Sequence, residues 1–316
     1  MSRLLYALLK RLGGMLVVLA LVVTVVFVIV RVTPGDPAAV MLGSDATPED
    51  VAALRARLGL DAPILQQYGH FVLDVVRGDL GQSIFLGQPV TTALASRAEP
   101  TFFLTLFSIL IAVSIALPVG ILSAVRRGTL FDQIVVGLTM VAASVPSFWL
   151  GLILIQSFAV GLGWFPASGY GGPDTPFLDR LWHLVLPALA LGIVNSALIT
   201  RFTRAAMLDV LGEDYVRTAR AKGASAGRVI LKHALKNALI PIITVIGLSI
   251  ALLVAGAVVT ETVFGLPGIG NLVVQAVLRR DYPVIQGALL VIAAIYVLIN
   301  FVVDMLYLAV DPRVRT

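Results

Sequence analysis

Cysteine is missing from this sequence altogether, and histidine occurs three times, at His70, His183 and His233. Disulfides and thiolate metal sites are therefore excluded, and the histidines lie too far apart for the short spacings that metal ligands take. Charge is scarce as well. Only 13% of the 316 residues are Asp, Glu, Lys or Arg, whereas soluble domains run at roughly 25%. With 59% hydrophobic residues, this composition excludes an ordinary soluble globule and leaves a polytopic membrane protein. Also missing is the loop G-x-x-x-x-G-K-[ST] that cradles nucleotide phosphates, so any ATP that drives the protein is hydrolysed by another chain. The net charge of +5 does not point to nucleic acid, because the basic residues sit at the ends of apolar runs rather than in a patch with interleaved aromatics.

What is there is a set of membrane-length runs, each near the ~20 residues that cross a hydrocarbon core. They cover residues 12–30, 102–125, 134–160, 181–200, 237–260 and 282–303, the last extending to about 308. The first is too long for a signal-peptide core and has no small-x-small cleavage site close behind it, so it is read as retained. Prolines at 118, 146, 187 and 241 fall within or beside these runs, where they free backbone carbonyls and kink helices. Fifteen of the 23 Lys and Arg fall in the N-terminus, the 126–127 turn, residues 201–236 and the C-terminus. By the positive-inside rule these segments face the cytoplasm, and both termini with them. The expected organisation is a cytoplasmic N-terminus and first span over 1–32, an extracytoplasmic region with amphipathic helices over 33–100, and a core over 101–316 containing a cytoplasmic loop at 201–236.

In the outer region, Thr47-Pro-Glu-Asp50 has the form of a capped helix start and Gly59 ends the helix. A second helix places Ile64, Leu65, Tyr68, Val72, Val75 and Val76 on one apolar face before Gly78, as expected of a helix lying on membrane or on neighbouring spans. Between the fourth and fifth runs lies a long charged interruption. Glu213 and Asp214 place acid at a helix start, Gly223 suits its C′ position, and Ser225 is placed to cap a second short helix. On that helix Arg228, Lys232 and Lys236 recur at i, i+4 and i+8, with Val229, Ile230, Leu235 and Leu239 opposite. By spacing alone the loop fits either a docking element or a basic segment anchored at anionic headgroups.

Several motifs add a resemblance. Asp214-Tyr-Val-Arg-Thr-Ala-Arg-Ala-Lys-Gly223, Arg228-Val229 and His233-Ala-Leu-Lys-Asn-Ala-Leu-Ile-Pro241 resemble the EAA loop of ABC-importer permeases. Arg217 and Thr218 depart from the general pattern in the manner of the dipeptide, oligopeptide and nickel branch. Thr33-Pro-Gly-Asp-Pro37, Gln67-Tyr68, Gly78-Asp-Leu-Gly-Gln-Ser83 and Glu261 to Asn271 are similar to the same branch, so the likeness spans the chain. It implies an all-α polytopic membrane protein, six transmembrane helices of the ABC type I importer permease kind, with an extended extracytoplasmic region between helices 1 and 2. The implied role of Asp214, Tyr215, Arg217, Thr218, Ala219, Arg220, Lys222 and Gly223 is coupling to a cytoplasmic ATPase.

The same resemblance implies a second permease subunit, two ATPase domains that bind ATP and magnesium, and an extracytoplasmic substrate-binding lipoprotein. No catalytic residue and no cofactor of its own is expected in this chain. Peptides are the expected cargo, with nickel, glutathione or haem as alternatives in the same kind of complex. Ser144, Ser147, Asn195, Ser196 and Ser249 are small polar groups inside apolar runs, and each fits either a translocation path or an interhelical hydrogen bond. A proton-coupled secondary transporter would need buried ionisable relays that these runs lack, and a membrane scaffold is the remaining rival.

Overall fold

The computed structural model describes residues 2–32, 37–43, 46–57, 59–172 and 174–310. Thr33 to Asp36 of the first motif, and the tail beyond Val310, lie outside them. Helices α1 (Ser2–Val32), α2 (Pro37–Leu42), α3 (Pro48–Arg57), α4 (Ile64–Arg77) and α5 (Val90–Val125) are followed by α6 (Leu130–Ser144) and α7 (Ser147–Leu154). Next come α8 (Phe177–His183), α9 (Val185–Leu211), α10 (Asp214–Ala221), α11 (Ala226–Arg228), α12 (Leu235–Val263), α13 (Ile269–Arg279) and α14 (Tyr282–Val310). Among the described residues the one β feature is an isolated bridge between Gln82 and Pro89.

Five helices are long and apolar enough to cross a membrane: Leu9–Val32, Val90–Val125, Val185–Leu211, Ala226–Val263 and Tyr282–Met305. The sixth apolar segment is a broken one. Leu130–Ser144 and Ser147–Gly161 meet at 96°, because Pro146 forces the preceding residue out of the helical region. Val145 is accordingly extended, at φ −89° and ψ 123°. Other helices also outrun the apolar stretches of the sequence, α1 from Ser2 among them. α5 begins at Val90 rather than near 102, and α9 continues past Thr200 to Leu211. A helix does not end where its sequence becomes polar, only where its backbone partners do.

The chain divides into two compact units. The first comprises Met1–Leu4, Pro100–Gly270 and Ile299–Thr316. α9 is its interior helix, with 56% of its most apolar window buried, against 33% for the helix Ala226–Val263. Ala188, Ala190, Gly192, Ser196 and Ala197 make α9 slim enough for close neighbours. α5 and α9 approach reciprocally. A Cβ on Gly192 would lie 2.9 Å from the Ser108 carbonyl oxygen, and one on Gly120 would lie 2.9 Å from that of Thr200. Below and above these contacts run two apolar clusters, one around Leu104, Leu186, Leu191, Leu253 and Phe264, the other around Ala206, Met207, Ala234 and Ile242.

The second unit comprises Leu5–Glu99 and Asn271–Leu298. Here α4 packs on α1: the Phe27 ring meets Tyr68 at 5.2 Å and Phe71 at 5.6 Å, the Thr24 and Tyr68 hydroxyls are 2.8 Å apart, and Arg31 donates twice to Gln67 Oε1. Gly78 ends α4 in the left-handed conformation, φ 80°. Of the expected apolar face, Tyr68, Val72 and Val75 are half-buried while Ile64, Leu65 and Val76 stay exposed. At α3 the Thr47 hydroxyl and amide donate to the Asp50 carboxylate, and the Asp50 amide returns a bond to Thr47.

Two outcomes are expected. Gly192→Val, and independently Gly120→Val, forces α5 and α9 apart at a cost of about 1–3 kcal/mol, as overpacking does, and lowers the melting temperature in detergent; Gly227→Val, which meets open space, serves as the control. The Thr47 hydroxyl, then its amide, holds the Asp50 carboxyl below its ordinary range. Its folded value is the lower one, so the cap stabilises α3 above the ordinary carboxylate range and is lost as pH falls through the depressed value. Amide-exchange protection at the start of α3 should fall in acid, and Thr47→Val should abolish that dependence.

Candidate coupling surface and translocation path

α10 is a short helix held from one side. Val216 is fully buried, Ala219 half-buried, and Asp214, Tyr215, Arg217, Thr218, Arg220, Lys222 and Gly223 are exposed. The buried side rests on the π-helical turn Val229–Ala234, whose Val229 and Ala234 are themselves buried. Tyr215 ties the helix down at a second point, accepting a 2.7 Å hydrogen bond from Asn237 Nδ2 at the start of α12. Thr218 spends its hydroxyl on the Asp214 carbonyl oxygen, at 3.0 Å, so its outer surface is small and nearly apolar. The Arg217–Asp214 pair is 3.3 Å apart with side chains 73% and 94% exposed, a geometry worth little in water.

The C-terminus of α10 is a Schellman motif. Gly223 stands at φ +77°, its amide donates to the Arg220 carbonyl oxygen and the Ala224 amide donates to that of Ala219. Ser225 adopts the backbone conformation expected before the next helix, but its side chain makes no capping bond. The π turn also alters the stripe of Arg228, Lys232 and Lys236. All three are exposed, yet the wider turn between them breaks the i, i+4 register assumed for a regular helix.

The five polar residues of the expected path sit on four helices, and Ser196 is the one at a neutral cavity. Ser144 and Asn195 hydrogen-bond carbonyl oxygens of their own helices, at Met140 and Leu191. Ser147 is the first residue of α7, and Ser249 is fully buried with its hydroxyl unpartnered. Ser196 alone of the five lines a cavity of about 450 Å³ walled by α5, α6, α7 and α9. Thr139 and Thr200 contribute its other hydroxyls, and Trp149 its aromatic ring. No charged side chain lines it. The Ser196 and Thr139 hydroxyls donate to their own helix carbonyls, so the wall is neutral and largely apolar.

Buried carboxylates are what a reading of the sequence missed. In the first unit, Asp132 accepts from Arg204 Nε at 2.6 Å and Nη2 at 2.8 Å, from the Ser123 hydroxyl and from the Gly128 amide. In the same unit Glu261, wholly buried, accepts from the Thr101 hydroxyl, which itself takes the Ile269 amide. Gly268 and Gly270 are glycines for that reason, since a Cβ on Gly268 would lie 2.2 Å from the Glu261 carboxylate. In the second unit Asp281 gathers the Ser83 hydroxyl and the Ile84 and Phe85 amides. The glycine and serine motifs at 78–83 and 265–270 were the available signal, because each stands where the backbone turns around a carboxylate.

Comparison with known proteins follows these contours. Residues 116–316 match the family described as binding-protein-dependent transport system inner membrane component, and residues 4–93 match its N-terminal counterpart. The chain is 45% identical over 307 residues to a probable peptide ABC transporter permease protein of Sinorhizobium fredii, covering 97% of this chain and 98% of that one. It is 42% identical over 331 residues to the dipeptide transport system permease protein DppB of Escherichia coli K12, with coverage of 97% and 98%. Over 306 residues it is 44% identical to the glutathione transport system permease protein GsiC of Pectobacterium atrosepticum, with coverage of 97% of each. In fold it resembles a chain of the MetNI methionine ABC transporter in an inward-facing conformation, at TM-score 0.57 and 22% identity over 69% of this chain and 96% of that one. The chain belongs to the family of binding-protein-dependent transport system inner membrane components.

Proposed function

We propose that this chain is a transmembrane permease subunit of an ATP-driven importer of peptides. The observation that carries the reading is α10: a stiff, slim helix fixed through Val216 and Tyr215, with Arg217, Thr218 and Arg220 presented outward. Such a surface suits a groove in another protein, and the relatives named for dipeptide and peptide transport supply the cargo class. The permease works with a second permease subunit, two cytoplasmic ATPase domains that hold ATP and magnesium, and an extracytoplasmic binding protein that delivers the peptide. Both termini and α10 face the cytoplasm, in line with the excess of Lys and Arg in those segments. The 44% identity to a glutathione permease favours a second cargo of the same chemistry, since glutathione is itself a tripeptide.

In this reading ATP binding closes the ATPase pair, α10 carries the displacement, and the neutral cavity beside α6 and α9 opens outward to receive the peptide. A wall without charge suits passage, because it offers a peptide's termini no ion pair strong enough to hold them.

Two variants test the role of α10 in the complex purified from its own membrane. Gly223→Val places a side chain at φ +77°, a left-handed conformation costing roughly 1–2 kcal/mol, in space that is otherwise open. ATPase and second permease should still co-purify, while peptide-stimulated ATP hydrolysis falls to near the basal rate. Tyr215→Phe removes one hydrogen bond of about 1 kcal/mol and should weaken stimulation only partly. Wild-type stimulation in Gly223→Val, or recovery of the chain without any ATPase, contradicts the proposed coupling.

A further inference from the structure

Within the broken apolar segment, α7 packs on α9 and α12 and buries Gly151 against Phe264, whereas α6 is buried only toward its start. The buried residues of α6 are Asp132, Val135 and Thr139, and from Met140 to Ser144 every residue is exposed or half-exposed. The helix then stops at the extended Val145 and the 96° break before α7. Its first turn is the opposite. The Asp132 side chain is 5% exposed and its two oxygens take Arg204 from α9, Ser123 from α5 and the Gly128 amide from the turn between α5 and α6. Three helices of one unit are thus joined at a single carboxylate. Arg204 lies on the same stretch of α9 as Ala206 and Met207, which pack against Ala234 and Ala238, and α9 ends two residues before α10 begins.

We propose that Asp132 and Arg204 are positioning residues whose bidentate pair forms a fixed pivot, so that α6 moves with α9 and α10 at this end while its far half swings at the Val145–Pro146 break and reshapes the cavity. Two physical contrasts support it. A bidentate Arg–carboxylate pair with its remaining lone pairs filled is hard to open, because separation strands a buried charge. A helix already interrupted at a proline has given up the backbone bonds that would resist bending there. The wall free to move carries Val141, Ala142 and Val145, and the wall across the cavity carries Ile193 and Val194 of α9. This inference rests on the reading of the chain as an ATPase-driven permease.

The absence of cysteine allows paired spin labels on this chain within the whole complex. Labels at Gln133→Cys and Ala205→Cys flank the pivot; labels at Val141→Cys and Val194→Cys flank the cavity. Trapping with ATP and vanadate should shift the 141–194 distance distribution and leave the 133–205 distribution unchanged. Asp132→Asn should broaden the 133–205 distribution and diminish the shift at 141–194, and Asp132→Glu, which keeps the charge, should restore much of it. A shift at 133–205 as large as that at 141–194, or none at either, overturns the pivot, as does an assembled Asp132→Asn complex with wild-type behaviour at both pairs. If Asp132→Asn does not assemble, the labels on the otherwise unaltered chain decide alone. An intact ATP-dependent shift without peptide stimulation of the wild type would instead count against peptide as the cargo and leave the pivot standing.

Discussion

A carboxylate taken out of water must be surrounded by donors, and that requirement organises much of this protein. Asp132, Glu261 and Asp281 are each almost completely buried, where an ion lacking partners would cost several kcal/mol. Each is satisfied by segments far apart in the chain. Asp132 collects groups from α5, the following turn and α9; Glu261 joins the start of the unit's α5 segment to the end of α12 and the start of α13; Asp281 closes the Ser83–Phe85 turn. Between apolar helices, where packing is slippery in direction, such clasps fix which helix end meets which.

The apolar contacts are correspondingly close and unspecific in charge. α5 and α9 meet through Gly120 and Gly192, small residues that let backbones approach in a setting where lipid competes for apolar surface. The result in the first unit is a slim interior helix, α9, that runs from the apolar cluster around Leu191 past the Arg204 clasp to the threshold of α10. Only Gly212 and Glu213 separate this helix from α10, and the neutral cavity lies beside it.

Much of this was legible in the sequence. Runs of about twenty uncharged residues announce spans because hydropathy is a local property, and Gly223 announced the end of α10 because a left-handed C′ residue favours glycine. Pro146 marked an interruption, though not its angle, which depends on how α6 and α7 pack on α9. The clasp between Asp132 and Arg204 was not legible: the partners are 72 residues apart, and an acid near a helix start has an equally good local reading as a cap. The same applies to the path. Ser144, Asn195 and Ser196 look alike in a string of letters, and all three bond carbonyl oxygens of their own helices; only the packing of α6 against α9 shows Ser196 and Thr139 at a cavity.

The central claim is that α10 is seated in another protein. A single cysteine at Thr218, on the exposed side of a chain that has no other, gives the most direct measurement: photo-crosslinking from that position in native membranes, followed by identification of the captured partner. The account predicts one dominant adduct, with an ATP-binding subunit, that disappears when the probe is moved to the buried Val216. Adducts with lipid alone, or none in membranes where the complex is assembled, would contradict it.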